Sequence, residues 1–275
     1  MNNELLRRME VLLKGEYPTF LTTLDESVHR GLRVNTLKCT SDDLQQQLSF
    51  SLKPTVISNT VFEISTEIHH LGNLIEHHQG LYSLQEVSAT SAVKVLQSQP
   101  KEWILDLCAA LGGKTTQIAM KMKNEGLLFM NEIDPQRAQI LLSNCERCGG
   151  SNAIITCNSP EQLVSSYQGQ MDRILVDAPC SGEGMFKSHS QANVEACAAR
   201  QKRILESAYL MLKEGEILVY STCTYAIEEN EAVLDSFLKR HPDMELVPCS
   251  VQFGHPRFDY ENISGNLVRR IFPMD

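Results

Sequence analysis

Apolar positions in the first eighty residues are sparse and change period repeatedly. Leu5, Leu6, Met9, Leu12 and Leu13 recur at the three- and four-residue spacing of one helix face, and the alternating run LRVNTLK (residues 32–38) predicts a strand. A polar helix follows at SDDLQQQL (41–48) and a second short strand at VFEIS (61–65). These elements are too few for a large core, and they predict a small α+β domain over residues 1–80.

From YSLQEVSATSAVKVL (82–96), which predicts a helix, the pattern becomes regular. Strand EWILDLC (102–108), helix TTQIAMKM (115–122), strand GLLFMNEID (126–134), helix PQRAQILLSNCERC (135–148) and strand NAIITC (152–157) come first. Strand DRILVDAPC (172–180), helix VEACAARQKRILESAYLML (194–212), strand GEILVYSTC (215–223) and helix EENEAVLDSFLKR (228–240) complete the series. Strands alternating with helices of this length predict an α/β domain over residues 81–275, a mostly parallel, doubly wound sheet with helices on both faces. Ligands in such sheets bind at the carboxyl ends of the strands, near the reversal of strand order.

Composition narrows the class. Of 275 residues 42% are hydrophobic, enough for a substantial core, and no run approaches the roughly 18–20 apolar residues of a membrane span. A soluble, cytoplasmic, monomeric protein is expected. Nine cysteines, an odd number without framework spacing, read as reduced thiols. The net charge of -9 argues against nucleic-acid binding by bulk electrostatics. Arg7, Arg8, Lys14, Arg30, Arg33 and Lys38 give the first domain a basic tinge, which fits a surface of mixed charge as well as an RNA-facing patch.

The stretch DLCAALGGKTT (106–116) runs from a strand through glycines into a helix, and three adenine-nucleotide readings compete for it. Cys108 stands where a phosphate-binding loop needs its first glycine, and the G-x-G-x-x-G of a dinucleotide site is missing. A nucleoside ligand without pyrophosphate remains, and S-adenosylmethionine fits. Gly112 and Gly113 permit close backbone approach, while Glu132, about 20 residues beyond, can accept hydrogen bonds from ribose hydroxyls. The Asp106 carboxylate can hold the loop or meet the donor's ammonium group.

Two strands each deliver a cysteine into a loop: Cys180 in DAPCSGEGMF (177–186) and Cys223 in STCTY (221–225). Carbon 5 of cytosine is a poor nucleophile until a thiolate adds at carbon 6 and makes it enamine-like. The adduct must afterwards lose a proton and the thiol, so a second group and a positioned acid are needed, and Asp177 stands beside Cys180. Cysteine is also a common small buried hydrophobe. Cys145 and Cys148 form a C-x-x-C on a helical pattern and read as helix packing. His69, His70, His77 and His78 read as surface or interdomain residues, and no metal is expected.

These segments resemble the Nop/Sun group of RNA cytosine-C5 methyltransferases, on its RsmF-like branch of bacterial 16S ribosomal RNA enzymes. LRVNTLK, GLYSLQEVSATSA, DLCAALGGKTTQIA, NEIDPQRAQILLSN, DRILVDAPCSGEGMF, CAARQKRIL and LVYSTCTYAIEENEAVL carry the likeness through nearly the whole chain. The resemblance implies a class I, Rossmann-like methyltransferase core using S-adenosylmethionine on RNA, with ribosomal RNA or the small ribosomal subunit as partner. It implies that Cys223 is the nucleophile, that Cys180 assists product release, and that Asp177 touches cytosine and cofactor. Cys108, Ala109, Ala110, Leu111, Gly112, Gly113 and Lys114 would line the cofactor loop, Glu132 the ribose, and Asn158 and Ser159 the adenine. Lys114 would reach Asp177.

Three departures stand out. Leu111 replaces the proline of the usual A-A-P-G-G-K, Val87 stands where QEPSA is usual, and the segment after Phe186 is shorter than the family's. The family runs past RRIFP into a glycine-rich strand and often a separate RNA-binding domain, whereas this chain stops at Asp275. A truncated or naturally short form is therefore expected, with weak RNA affinity of its own. A transfer RNA cytosine methyltransferase and a catalytically weak RNA-binding or assembly protein remain rival readings, and a nucleotide hydrolase built on GGKTT is a third.

Overall fold

The computed structural model describes residues 3–24, 30–65, 68–183, 190–249, 251, 253–255 and 259–274. The expected shortening after Phe186 lies outside the described residues. Two compact units divide the chain: Met1–Ser27, Ala178–Glu206 and Ser221–Asp275 form the first, Val28–Asp177 and Ser207–Tyr220 the second.

In the first unit the apolar stripe of α1 (Asn3–Leu13) buries Leu5, Met9, Leu12 and Leu13 with Phe20 of α2 (Tyr17–Thr23), and Tyr225 and Phe272 join the same cluster.

The second unit holds two sheets. The smaller is antiparallel, in the order β2-β3-β1-β4: Lys53–Pro54, Val61–Ile64, Arg30–Val34 and Tyr82–Leu84. Alternation along β1 puts Leu32 and Val34 into a cluster with Leu44, Ile64 and Tyr82, while the intervening Arg33 is buried elsewhere. Leu44 comes from α3 (Ser41–Gln47), whose start is fixed by the reciprocal bonds between Thr40 and Asp43. The short α4 spans Ile75–His78, and α5 (Ser91–Leu96) turns Ala92, Val93 and Leu96 into the main core.

The larger sheet has the order β7-β6-β5-β8-β9, from Ala153–Thr156, Leu127–Asn131, Trp103–Asp106, Met171–Asp177 and Leu212–Ser221. The β5–β6, β5–β8 and β6–β7 pairs are parallel. Its helices are α6 (Gly113–Met122), α7 (Pro135–Cys148) and α8 (Pro160–Tyr167); α9 spans Gln191–Met211 and α10 Glu231–Arg240. α7 opens with Asp134 accepting from the Gln136 and Arg137 amides, has Pro135 at its first position, and closes on Gly149 at φ +79°. Chain order therefore reverses across β5 and β8.

The mostly parallel α/β core is as the pattern predicts, with two corrections. Tyr82–Leu84 is a strand paired with β1, not the start of a helix. The helix α8 was not expected between NAIITC and DRILVDAPC. Strands β1 and β4 pair with each other inside the second unit.

Candidate active site

Asp106 and Asp177 end adjacent strands at the reversal of strand order. Beyond Asp106 the chain makes a tight turn in which Ala110 has φ +52° and Gly112 φ +90°, and the Gly112 amide donates to the Ala109 carbonyl at 2.9 Å. A Cβ on Gly112 would lie 2.8 Å from Leu141 Cδ1, so the residue and its conformation are both required there. Leu111, 47% exposed, keeps its carbonyl against Asn144 Nδ2 at 2.9 Å, which ties down a turn that lacks the family's proline. At the start of α6, Lys114 Nζ lies 2.7 Å from Asp177 Oδ2. The Cys108 thiol is pushed well above its usual range by burial and by the carboxylates of Asp106, Asp177 and Glu132.

The carboxyl of Asp106 is 1% exposed. Oδ2 accepts from Thr115 Oγ1 at 2.6 Å, whereas Oδ1 is buried with no hydrogen-bond partner. Burial pushes its pKa up to about 7, opposed by the Thr115 bond and reinforced by Asp177. Glu132, 4% exposed after β6, accepts from the Asp134 amide and pairs with Arg137 Nη2 at 3.1 Å. Asn158 is held by Asn131, which accepts from its amide at 3.2 Å and donates to its carbonyl at 3.0 Å. Ser159 opens α8, its amide donating to Gln162 Oε1 at 2.9 Å.

The two thiols meet in the first unit, where Cys180 Sγ and Cys223 Sγ are 3.1 Å apart and neither is in a disulfide. Hydrogen bonding to Cys223, together with burial, pushes the Cys180 thiol far up. Both causes favour the protonated form of Cys180, and Cys223 is the more exposed of the two. Residues beside each thiol are linked as well. Ser181 Oγ and Thr224 Oγ1 are 2.9 Å apart, Thr224 Oγ1 donates to Glu183 Oε2 at 3.3 Å, and the Ser181 amide donates to buried Glu229 at 3.0 Å. Arg8 Nη1 pairs with Glu183 at 3.2 Å.

The sequence pattern described as 16S rRNA methyltransferase RsmB/F matches residues 93–275, and that described as the N-terminal domain of 16S rRNA methyltransferase RsmF matches residues 1–87. The chain belongs to the RsmB/F family. A ribosomal RNA small subunit methyltransferase F from Vibrio parahaemolyticus serotype O3:K6 is 38% identical over 273 residues, covering 93% of this chain and 56% of the relative. Its namesake from Erwinia tasmaniensis is 36% identical over 266 residues, with 90% and 56% covered. The crystal structure of a methyltransferase homologue from Pyrococcus horikoshii, 28% identical, aligns with a TM-score of 0.86 over all of this chain and 95% of that one. This RsmB/F chain thus spans about half the length of the curated relatives it matches.

Within the RsmB/F chain the structure brings the glycine turn, Lys114, Asp106 and Asp177 together in one unit and the two thiols together in the other. Several neighbours escape a reading of the sequence: Thr115 on Asp106, Arg137 on Glu132, the Ser181–Thr224–Glu183 chain, and Arg33. The basic tinge is also mostly engaged. Arg33 is 2% exposed, Lys38 donates to the carbonyls of Gln79 and Arg147, and Arg8 is paired with glutamates. Cys145 packs in the main core, as helix packing predicts, and His77 rests against Tyr82 with ring centroids 5.4 Å apart. Among the described residues no helix is long and apolar enough to cross a membrane.

Proposed function

We propose that the chain transfers a methyl group from S-adenosylmethionine to carbon 5 of a cytosine in 16S ribosomal RNA, through a covalent adduct with Cys223. The observation that carries this reading is the 3.1 Å approach of two thiols of unequal exposure, each in the loop that follows a strand. The donor site fits the residues present. A glycine turn offers open backbone, Asp106 Oδ1 is a buried acceptor without a partner suited to an ammonium, and Glu132 is a buried carboxylate one strand away. S-adenosylmethionine, when bound, supplies an electrophilic methyl.

Cys223 Sγ forms a bond to carbon 6 of the cytosine, and the electron pair moved onto carbon 5 takes the methyl. The pair that held the methyl stays on the donor's sulfur; water then takes the carbon 5 proton, the electrons of that bond re-form the ring double bond, and the sulfur–carbon bond breaks to release Cys223 as a thiolate. In this reading Cys180, 3.1 Å from Cys223, assists that elimination, and Asp177, paired with Lys114 at 2.7 Å, serves base and donor. The target cytosine must leave its stack to reach the thiols. An RNA-facing role for residues 1–80, a cytoplasmic location and a monomeric state belong to the same reading.

The test is transfer of labelled methyl from S-adenosylmethionine to small ribosomal subunits, free 16S RNA and transfer RNA, with the modified base mapped by sequencing. 5-Methylcytosine at one 16S position supports the proposal. Modification of transfer RNA alone would replace the substrate, and donor binding without transfer would favour an RNA-binding protein that keeps the fold.

A further inference from the structure

Arg33 reaches from β1 to the glycine turn. Its Nη1 donates to the Gly113 carbonyl at 2.6 Å, to Gln117 Oε1 at 3.5 Å and to Gln85 Oε1, and its Nη2 donates to Thr116 Oγ1 at 2.7 Å. Thr116 Oγ1 in turn donates to the Gly112 carbonyl at 2.8 Å. Each of these acceptors is neutral, and Nε is buried with no hydrogen-bond partner. Arg270, the other buried guanidinium among the described residues, is instead clamped by the carboxylate of Glu231 at 2.5 Å.

A buried cation whose hydrogen-bond acceptors are all neutral is a poor way to gain stability, because no ion pair offsets its desolvation. Burial lowers the Arg33 pKa to about 10, which still leaves it charged at neutral pH. The Gly113 carbonyl belongs to the same peptide group as the Lys114 amide, in the first turn of α6, where amides lack intrahelical acceptors. A cation on that carbonyl polarises the peptide and makes the amide a stronger donor.

We infer that Arg33 is a positioning residue for the methyl-donor site, fixing the Gly112–Thr116 turn from beneath and strengthening its amides toward the donor's anionic carboxylate. The inference rests on the donor reading above. It assigns to the N-terminal segment a part in donor binding that is separate from any contact with RNA.

The test is calorimetric titration of the whole chain with S-adenosylmethionine, together with steady-state methyl transfer, for wild type, Arg33→Gln, Arg33→Lys and Thr116→Val. Arg33→Gln is expected to raise the donor Kd and KM roughly tenfold or more, as loss of charge-assisted hydrogen bonds would, with kcat at saturating donor changed less than about twofold. Arg33→Lys restores part of the affinity, because the charge returns without the fork. If Arg33→Gln does not fold, Thr116→Val is read alone and is expected to weaken donor binding several-fold. Donor binding equal to wild type in a folded Arg33→Gln or in Thr116→Val overturns the inference, as does loss of kcat without change in KM. No binding by the wild type would overturn the donor reading itself.

Discussion

Replacing Asp106 by asparagine removes a titration that the fold makes costly. The carboxyl is 1% exposed, one of its oxygens has no hydrogen-bond partner, and burial raises its pKa from the 3.8 of a free aspartate to about 7. Below pH 3.8 both folded and unfolded chains hold the proton, and the group costs the fold nothing through ionisation. As pH rises toward 7 the unfolded chain ionises first, so native stability is lost across that window and then levels off. At about 1.4 kcal/mol per pH unit the full window amounts to about 4 kcal/mol, of which roughly 3 falls between about pH 5 and 8. The asparagine side chain of the Asp106→Asn variant keeps an acceptor for Thr115 but does not titrate. The difference in unfolding free energy, variant minus wild type, should therefore grow by about 3 kcal/mol from about pH 5 to pH 8, whatever constant offset the amide introduces. Urea unfolding at several pH values across that range measures it. Parallel curves for the two proteins would refute a buried, reluctantly ionised Asp106.

Other sites give sharper local tests. Gly112→Ala places a Cβ 2.8 Å from Leu141 Cδ1 at φ +90°, and should cost about 1–2 kcal/mol in urea unfolding and weaken donor binding. Arg270→Met strands buried Glu231, whose carboxylate it clamps, and should destabilise the chain by about 3–5 kcal/mol at neutral pH in the same assay. Thr224→Val removes the bonds to Ser181 and Glu183 beside the thiols; kcat should fall roughly tenfold, equivalent to about 1.4 kcal/mol, with the donor Kd unchanged.

Much of this was legible in the sequence where the information was local. The α/β alternation, the glycine turn and the thiols at strand ends all follow from hydrophobic period and from small residues after apolar runs. Helix α8 was missed although Ser159, Pro160 and Gln162 form a helix-start signature, because Leu163 alone supplies its buried apolar face. Strand β4 was missed because three residues are too few to set a period and only pairing with β1 defines them. Arg33 read as surface charge because arginine rarely enters a core, and its acceptors on the turn lie about eighty positions away. The links from Ser181 and Glu183 to Thr224 span more than forty residues and leave no periodic trace.

The division of labour between the thiols is the account's central claim, and it is tested most directly by denaturing gel analysis of the chain mixed with S-adenosylmethionine and 16S RNA. Cys180→Ala should accumulate a denaturation-resistant protein–RNA adduct, because attack proceeds and release does not. Cys223→Ala should form no adduct and transfer no methyl. An adduct in Cys223→Ala and none in Cys180→Ala would exchange the roles, and full methylation by Cys223→Ala would contradict covalent catalysis through this residue.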